Sequence, residues 1–352
     1  MGITLMPHPV APKYKKRKHR SLKRHVMPVV IALAVIIIGI FSLPLTLAVN
    51  IRVADVRNYA GSTFPVTVDP STKTIEEDPE VEALLAEPPS QLTASVSTAE
   101  KAYRWLALSI ADSTLYRGIA GVAGVHDLFV TVRSGQRQEQ VAAAFGKELG
   151  WTPAQRAEFI EAAHALEPDF PQGATVPGIY FASVTDPEDV ALLTQERFEQ
   201  EIRARYGTST DQVVPIEDAI TIASLLEREA GGWEDMRLIS GVIWNRLFVG
   251  MKLQIDATLQ YAEANQTKGS EGWWPSVEPK DKNIKSTYNT YQNAGLPPGP
   301  IANPSIAAIL AALNPKKTDC LFYFHDSRGR FHCTKTYKEH VALLKKYYGQ
   351  GR

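Results

Sequence analysis

Two glutamates that lie two positions apart, Glu227 and Glu229, are of a type and in a setting that could perform acid–base chemistry. They stand in IEDAITIASLLEREAGG, between Pro215 and Gly231, a pattern typical of an amphipathic helix. Two positions correspond to about 200° on a helix, so the carboxylates flank the apolar face on opposite edges and do not pair. Helical periodicity therefore does not show which of the two glutamates would act as the acid. Either carboxyl, buried against apolar walls, would have a raised pKa suited to proton delivery near neutral pH, and both could equally be ordinary residues at a core boundary.

The segment YNTYQNAGLPPGPIANPS, residues 288–305, predicts a stiff loop without charge. Its four prolines fix φ and remove backbone donors, and its glycines permit unusual dihedrals, which excludes a helix and disfavours a central strand. Tyr288 and Tyr291 offer aromatic faces, and Asn289 offers an amide. By itself the pattern fits a binding loop and a rigid packing loop equally well.

The two cysteines, Cys320 and Cys333, flank LFYFHDSRGRFH, in which apolar residues stand on either side of a turn signal. Folding a hairpin about Asp326–Ser327 places the cysteines opposite each other. A cross-strand disulfide is then possible in an oxidising compartment, and two unpaired thiols are the alternative. No Cys/His cluster has the spacing of zinc ligands, so we expect neither a metal nor another cofactor.

The charge of the chain is unevenly distributed, although Lys+Arg and Asp+Glu both total 38. Residues 1–25 hold eight Lys/Arg and no acid, which leaves a mildly acidic body that is not expected to bind nucleic acid. Residues 29–49 contain no charge, and about 20 apolar residues span a bilayer. We therefore predict a basic cytoplasmic tail (1–25), a retained transmembrane helix (27–49) and an extracytoplasmic remainder.

The elements that follow divide into a spacer and two folded parts. Residues 50–125 are acidic and contain prolines, which predicts a membrane-proximal spacer with a helix near residues 98–120. Residues 128–166 read as a strand followed by two helices. This unit resembles a LysM-like module, a small fold associated with N-acetylglucosamine polymers, and we assign residues 126–207 to it. A simple packing domain is the alternative.

The densest motifs lie between residues 211 and 349. They are ASLLEREA, VIWNRL with GMKLQIDATLQY, YNTY with GLPPGPI, AALNP, LFYF and TKTYKEH. In this order and spacing they resemble the endolytic murein transglycosylase (MltG, or YceG-like) family. The resemblance implies an α+β fold with a catalytic domain at residues 211–349.

The resemblance also implies roles for the two glutamates. The essential acid of the family corresponds to Glu229, and Glu227 becomes a supporting residue. The implied reaction breaks the β-1,4 bond between N-acetylmuramic acid and N-acetylglucosamine within a glycan strand. One glutamate protonates the leaving oxygen and then, ionised, takes a proton from the muramoyl C6 hydroxyl, which closes a 1,6-anhydro ring.

Further site residues follow from the same resemblance. Tyr288 and Tyr291 would stack on sugar rings and Asn289 would bond their polar groups, while the prolines preset the loop. Gln254 and Asp256 match positions expected to line the cleft, and turn hydrogen bonding is the alternative for both. We expect Asn245 to support the fold. The chain departs from the family in its cysteines and in GRFHC, where the family often has G-x-H-x-F.

The complete expectation is a single-pass protein of the bacterial inner membrane with an extracytoplasmic LysM-like module and catalytic domain. It would cut nascent peptidoglycan and limit glycan strand length, with peptidoglycan synthases as partners. Two alternatives remain. A hydrolase (muramidase) would use Glu229 together with Asp256 and leave a reducing end. A non-catalytic scaffold would bind peptidoglycan and release nothing.

Overall fold

The computed structural model describes residues 63–86, 98–111, 128–182, 184–270 and 272–349, together with residues 113 and 116 and some positions within 27–47. In this described part of the chain, no helix is long and apolar enough to cross a membrane. The predicted basic tail, residues 1–25, lies outside the described residues, as does much of the predicted membrane segment, residues 27–49.

Helices and three two-stranded antiparallel sheets make up the described residues, so the fold is α+β. The helices are α1 Pro79–Leu84, α2 Thr98–Ala111, α3 Gln138–Leu149, α4 Pro153–Leu166, α5 Pro187–Phe198, α6 Ala204–Val213, α7 Ile216–Glu229, α8 Trp233–Phe248, α9 Asp256–Thr267, α10 Ile306–Leu313 and α11 Tyr337–Tyr348. A π-helical turn, Glu199–Arg203, joins α5 to α6. The strands are β1 Val68–Asp69, β2 Thr74–Ile75, β3 Leu128–Val132, β4 Gly178–Ala182, β5 Phe322–His325 and β6 Phe331–Thr334.

Helix α7 lies in the larger of two hydrophobic cores. Acidic residues in its first turn suit the positive end of the helix dipole. Its side chains Ile220, Ile222 and Leu225 are fully buried, and the helix packs against α8 and α10. The side chain of Ser305 caps α10 by accepting the N–H of Ala308 at 3.2 Å. This packing fixes the position of the last turn of α7.

Residues 63–86 belong to this same core, although the sequence pattern assigns them to a spacer. Phe64 and Leu85 are buried in it. The N–H of Thr67 donates to the carbonyl of Leu313 at 3.0 Å, and the indole N–H of Trp233 donates to the carbonyl of Leu85 at 3.0 Å. The segment is therefore a structural part of the domain that carries α7.

An ion-pair cluster also holds this segment in place. Glu82, on α1, bonds both Arg237 of α8 and Lys316. The hydrogen bond from Arg237 lowers the pKa of Glu82 to about 2, and Lys316 adds to the effect. The Arg237 side chain is only 1% exposed. Because a buried guanidinium needs a partner, α1 is needed for the stability of the core beneath it.

The smaller core belongs to a β–α–α–β unit. Strand β3 pairs antiparallel with β4, with Val130 opposite Tyr180, and α3 and α4 connect the two strands. Phe145, Trp151 and Phe159 pack together inside it. Helix α5 closes the unit against α4. The strand and two helices predicted from the sequence are thus observed, and β4 completes the unit.

Arg137 joins this β–α–α–β unit to helix α9. Its side chain is buried, with the guanidinium carbon 4.2 Å from the ring centroid of Tyr261 and 4.8 Å from that of Trp273. It also bonds the side chains of Glu139 and Asn265. A guanidinium between two aromatic faces is held by cation–π attraction as well as by hydrogen bonds. The two cores therefore meet at a fixed, charged contact.

The hairpin β5–β6 has a different register from the one that the sequence predicts. Tyr323, and not Cys320, lies opposite Cys333, and the N–H of Asp326 donates to the carbonyl of Arg330 at 2.9 Å. The turn is centred near Arg328, because the Asp326 side chain accepts the N–H groups of Arg328 and Arg330. Cys320 stands just before β5 and still forms the disulfide with Cys333, with a Cα–Cα distance of 5.8 Å.

Candidate active site

Glu229 is the last residue of α7, where the helix leaves the core. Its carboxyl group is partly buried and has two donors from distant parts of the chain. The hydroxyl of Tyr323, on β5, donates to Oε2 at 2.9 Å. The backbone N–H of Ala257, in the first turn of α9, faces the same carboxyl group and lowers its pKa. The end of one helix, the start of another and the hairpin therefore meet at this carboxyl group.

Burial raises the pKa of Glu229 above the usual value of a glutamate, and the negative charge of Asp256 raises it further. The bonds from Tyr323 and Ala257 act in the opposite direction. The C-terminal end of α7 also disfavours a negative charge. The carboxyl group is thus biased towards its protonated form, while donors that stabilise the ionised form are already in place. A group that acts first as acid and then as base requires both.

Asp256 is the second carboxylate of the site, and it is exposed. It is the first residue of α9, and its Oδ1 accepts the hydroxyl of Tyr291 at 2.6 Å. Burial raises the pKa of Tyr291, and the bond to Asp256 raises it further. The structure thus brings two of the predicted site residues, Asp256 and Tyr291, into contact with each other, and both interact electrostatically with Glu229.

Arg246 supports the site from α8. Its guanidinium donates to the carbonyl of Leu321 at 2.6 Å and to the carbonyl of Leu253. These bonds hold the segments that lead into the hairpin and into α9. Burial lowers the pKa of Arg246, and its charge acts on Tyr291 and Tyr323. The cation therefore offsets the acidic groups around Glu229.

The loop of residues 288–305 is rigid for reasons that the composition only partly reveals. The ring of Tyr288 packs on Tyr261 with centroids 4.6 Å apart, and its side chain is half-buried. The side chain of Thr290 accepts the backbone N–H of Ile255 at 3.0 Å. The loop is therefore joined to the segment that begins α9.

Asn289 does not offer its amide to a ligand, contrary to the sequence prediction. The residue is fully buried, with its Nδ2 donating to the carbonyls of Lys282 and Ile284 at 3.1 and 2.8 Å. Its Oδ1 accepts the N–H of Tyr291 at 2.9 Å. The two amide bonds tie the start of the loop to the segment before it, and the third orients Tyr291.

Gln254 is exposed and has a φ of 52°, a left-handed conformation that a residue with a side chain rarely adopts. Its backbone N–H donates to the carbonyl of Thr290 at 3.1 Å. The strained turn therefore directs the Gln254 side chain to solvent two positions before Asp256. Strain of this kind often marks a binding or catalytic site.

Two further predicted residues support the fold. Oε2 of Glu227 accepts the N–H and the hydroxyl of Ser305, at 3.1 and 2.8 Å, and so connects α7 to the cap of α10. Nδ2 of Asn245 donates to the carbonyls of Thr318 and Cys320, at 2.7 and 3.1 Å. Both residues therefore make contacts within the fold, as supporting residues would. Glu227 bonds the cap of a neighbouring helix, whereas Glu229 bonds Tyr323 of the hairpin.

Sequence reasoning did not identify Tyr323 as a site residue. It falls within LFYF, a motif of the family resemblance that by itself assigns no role to any of its residues. Alternation along a strand places Tyr323 and His325 on one face, and this signal could have found them. In the described ranges, no group of three His, Cys, Asp or Glu side chains could hold a metal ion.

Comparisons with known proteins identify the family of this chain. The profile of the YceG-like family matches residues 106–346. An endolytic murein transglycosylase from Bacillus subtilis (strain 168) is 31% identical over 257 residues, which cover 67% of this chain and 69% of that protein.

An endolytic murein transglycosylase from Streptococcus pneumoniae (strain D39) is 32% identical over 176 residues. That alignment covers 48% of this chain but only 31% of the pneumococcal protein. The crystal structure of a yceG-like protein from Listeria monocytogenes aligns with a TM-score of 0.54 and 27% identity. It covers 61% of this chain and 75% of the Listeria chain.

Proposed function

Because this chain belongs to the YceG-like family, we propose that it is an endolytic murein transglycosylase with Glu229 as its acid. The observation that carries the proposal is the environment of the Glu229 carboxyl group. Burial favours its protonated form, and Tyr323 and Ala257 provide bonds for the ionised form. Glu227 has no such environment, since its carboxylate accepts from the cap of α10.

The reaction runs in two steps on one carboxyl group. Protonated Glu229 gives its proton to the glycosidic oxygen that leaves from C1 of N-acetylmuramic acid, as the anomeric carbon gains positive charge. The ionised carboxylate then takes the proton of the muramoyl C6 hydroxyl. The C6 oxygen attacks C1 and closes the 1,6-anhydro ring. No water is consumed, and Glu229 ends the cycle protonated as it began.

Asp256 supports a second candidate, a hydrolase. A carboxylate on the opposite side of a sugar from the acid could activate water, and Asp256 is exposed and acts electrostatically on Glu229. The two reactions differ in their products. A transglycosylase leaves a 1,6-anhydro end, whereas a hydrolase leaves a reducing end.

The remaining features of the proposal concern location and substrate. An apolar segment at residues 27–49 would anchor the protein in the bacterial inner membrane with its N-terminus in the cytoplasm. The β–α–α–β unit, a LysM-like arrangement, would hold glycan beside the cleft. Tyr288, Tyr291, Gln254 and Asp256 would contact the sugars. Cleavage of nascent strands near peptidoglycan synthases would limit strand length.

The decisive experiment incubates the full chain with purified peptidoglycan and identifies the released muropeptides by mass spectrometry. Glu229→Gln is compared with Glu217→Gln, which alters an exposed glutamate in the first turn of the same helix. We expect anhydro ends from the wild type and from Glu217→Gln, and none from Glu229→Gln. Reducing ends would favour the hydrolase. Binding without release by the wild type would favour a non-catalytic scaffold.

A further inference from the structure

The hairpin β5–β6 presents two different faces to its neighbours. Tyr323 and His325 alternate with Phe322 and Phe324 along β5. The first two contact α7 and α8, through Glu229 and Asp235 respectively. Phe324 faces the opposite way and packs on Tyr347 of α11, with centroids 6.0 Å apart. His325 therefore shares the face that provides the hydroxyl to the catalytic acid.

His325 is held in place on this face by three contacts. Its Nε2 bonds Oδ2 of Asp235 at 3.1 Å, and both side chains are three-quarters buried. The ring of Phe331 packs against it with centroids 5.7 Å apart, and against Tyr323 at 5.9 Å. The hydroxyl of Tyr348 donates to the His325 carbonyl. The imidazole is therefore a fixed group and not a free surface histidine.

Asp235 connects this imidazole to the segment that follows the acid. It lies in the first turn of α8, and only Ala230 to Glu234 separate it from Glu229 along the chain. A side chain at Gly231 would approach Oδ2 of Asp235 to 3.1 Å, so the backbone after Glu229 passes close to the pair. The His325–Asp235 pair thus joins the hairpin to the exit of α7.

We propose, on the basis of the transglycosylase function proposed above, that His325 and Asp235 form a positioning pair for Glu229. Asp235 holds the imidazole of His325 on the strand face that also carries Tyr323, from which the imidazolium form acts on the Glu229 carboxyl group. The positive charge stabilises the ionised carboxylate that takes the proton from the muramoyl C6 hydroxyl. His325 acts through Glu229 and is not itself the acid or the base.

The charged and titratable groups around Glu229 agree with this role. Asp256 at the start of α9 raises the pKa of Glu229, whereas the positive charge of His325 lowers it, as does the hydroxyl of Tyr323. Arg228, Arg246 and Tyr291 also interact with the carboxylate. His325 itself faces Asp235 from α8, on the strand face whose Tyr323 bonds Glu229 of α7. His325 is therefore the hairpin histidine whose positive charge would act on Glu229.

The same hairpin contains a matched control. Nε2 of His332 bonds Oδ2 of Asp326 at 3.0 Å, so it forms a second His–Asp pair. Its ring packs on Phe324 at 5.1 Å and on Tyr347 at 4.5 Å, which places it on the face turned away from Glu229. A substitution of His332 removes an equivalent pair without removing a charge from beside the acid.

The test compares the pKa of the Glu229 carboxyl group in the wild type and in three full-length variants, His325→Gln, His325→Lys and His332→Gln. Its titration is followed by carboxyl ¹³C NMR, and the pH profile of kcat/KM is measured on peptidoglycan. Activity is lost as pH rises through the pKa of the acid, so the two readouts report the same group. We expect His325→Gln to move both upward by about half a unit or more. The lysine variant retains a cation, so its Glu229 pKa and its pH profile should lie at or below those of the wild type. His332→Gln should leave both unchanged.

An unchanged pKa and pH profile in His325→Gln, or an equal shift in His332→Gln, would overturn the positioning role proposed for His325 and Asp235. If His325→Gln does not fold, a lysine variant that titrates above the wild type would do the same. These outcomes are separate from failure of the proposed function. A wild-type protein that forms no anhydro ends would refute the transglycosylase, whereas the NMR titration still tests His325 without turnover.

Discussion

The hydroxyl of Tyr323 donates to Oε2 of Glu229 at 2.9 Å, across a sequence separation of 94 residues. This bond is the direct link between the hairpin β5–β6 and the last turn of α7. A phenol donor stabilises the ionised form of the carboxyl group that accepts it. The hairpin therefore sets the protonation of the acid as well as its position.

Tyr323→Phe removes this donor and preserves the ring. We expect kcat/KM to fall by about 10-fold, the scale of one hydrogen bond to a charged group. The pKa of Glu229 should rise, so the loss of activity at high pH should move to higher pH. Kinetics on peptidoglycan across the pH range would measure both. Tyr337→Phe, which alters an exposed tyrosine on α11, should leave the profile unchanged, and a Tyr323→Phe profile like the wild type would contradict the assignment.

Asp256→Asn should shift the same profile in the opposite direction. The Asp256 charge raises the pKa of Glu229, so its removal lowers that pKa and moves the loss of activity to lower pH. Mass spectrometry should still find anhydro ends, because the reaction needs only one carboxyl group. A wild type that releases reducing ends, which Asp256→Asn abolishes, would instead identify Asp256 as the residue that activates water.

Glu229→Gln should be more stable than the wild type above the titration range of an unfolded glutamate. The native protein retains the Glu229 proton more strongly than the unfolded chain, because burial raises its pKa. Between the two pKa values the native state therefore binds more protons, and wild-type stability falls as pH rises. Thermal unfolding at pH 4 and pH 7.5 would test this. The Tm advantage of Glu229→Gln should be larger at pH 7.5, and a constant difference at both values would contradict it.

Opening the disulfide should destabilise the domain. Cys320 and Cys333 are 13 residues apart, and closing a loop of this size contributes about 3 kcal/mol by restricting the unfolded chain. Urea unfolding of the wild type with and without a reductant should show a loss of about 2–3 kcal/mol. The double serine variant serves as the control, because its midpoint should equal that of the reduced wild type and should not respond to reductant.

Glu82→Gln should destabilise the core beneath α1. The substitution leaves the buried guanidinium of Arg237 without its carboxylate. Removing one partner of a buried pair costs about 3–5 kcal/mol, and we expect about 2–4 kcal/mol here because Glu82 is 28% exposed. Urea unfolding at pH 7 measures the difference against Glu80→Gln, an exposed position on the same helix.

The Glu82 contribution should also depend on pH in a defined direction. Its pKa is lowered to about 2, so the unfolded state binds more protons between pH 4.5 and pH 2. The stability is present above the unfolded pKa and is lost as pH falls through this window. The difference between Glu82→Gln and the wild type should therefore shrink as the pH is lowered towards 2. A difference that stays constant would show that Glu82 acts by packing alone.

The sequence predicts helix α7 and indicates both of its glutamates as candidate acids, but local periodicity cannot show which of the two is the acid. Their carboxylates are distinguished by partners that lie 78 and 94 residues away, Ser305 for Glu227 and Tyr323 for Glu229. Only the resemblance to a known family selected Glu229. The same limit explains Asn289. The sequence suggests that its amide binds a ligand, but the structure shows that the amide is bonded to Lys282, Ile284 and Tyr291.

Two other differences arise where short elements depend on distant contacts. Residues 63–86 have strands of only two residues and one short helix, so no periodicity shows that they pack on α8 and α10. The sequence predicts the hairpin and the possibility of its disulfide, but the register that it predicts, with Cys320 opposite Cys333, is wrong. Symmetry about Asp326–Ser327 assumes a tight turn, whereas the Asp326 side chain stabilises a wider one.

The buried position of Arg137 limits which β–α–α–β units from related proteins could replace the one in this chain, in evolution or in engineering. A β–α–α–β unit taken from another protein would have to bring an arginine at the same place, since Tyr261, Trp273 and Asn265 on the other side are shaped around a cation. A unit without one would leave a polar gap between aromatic rings. The two halves therefore have to change together, and a chimaera would need its junction designed before its activity could be judged.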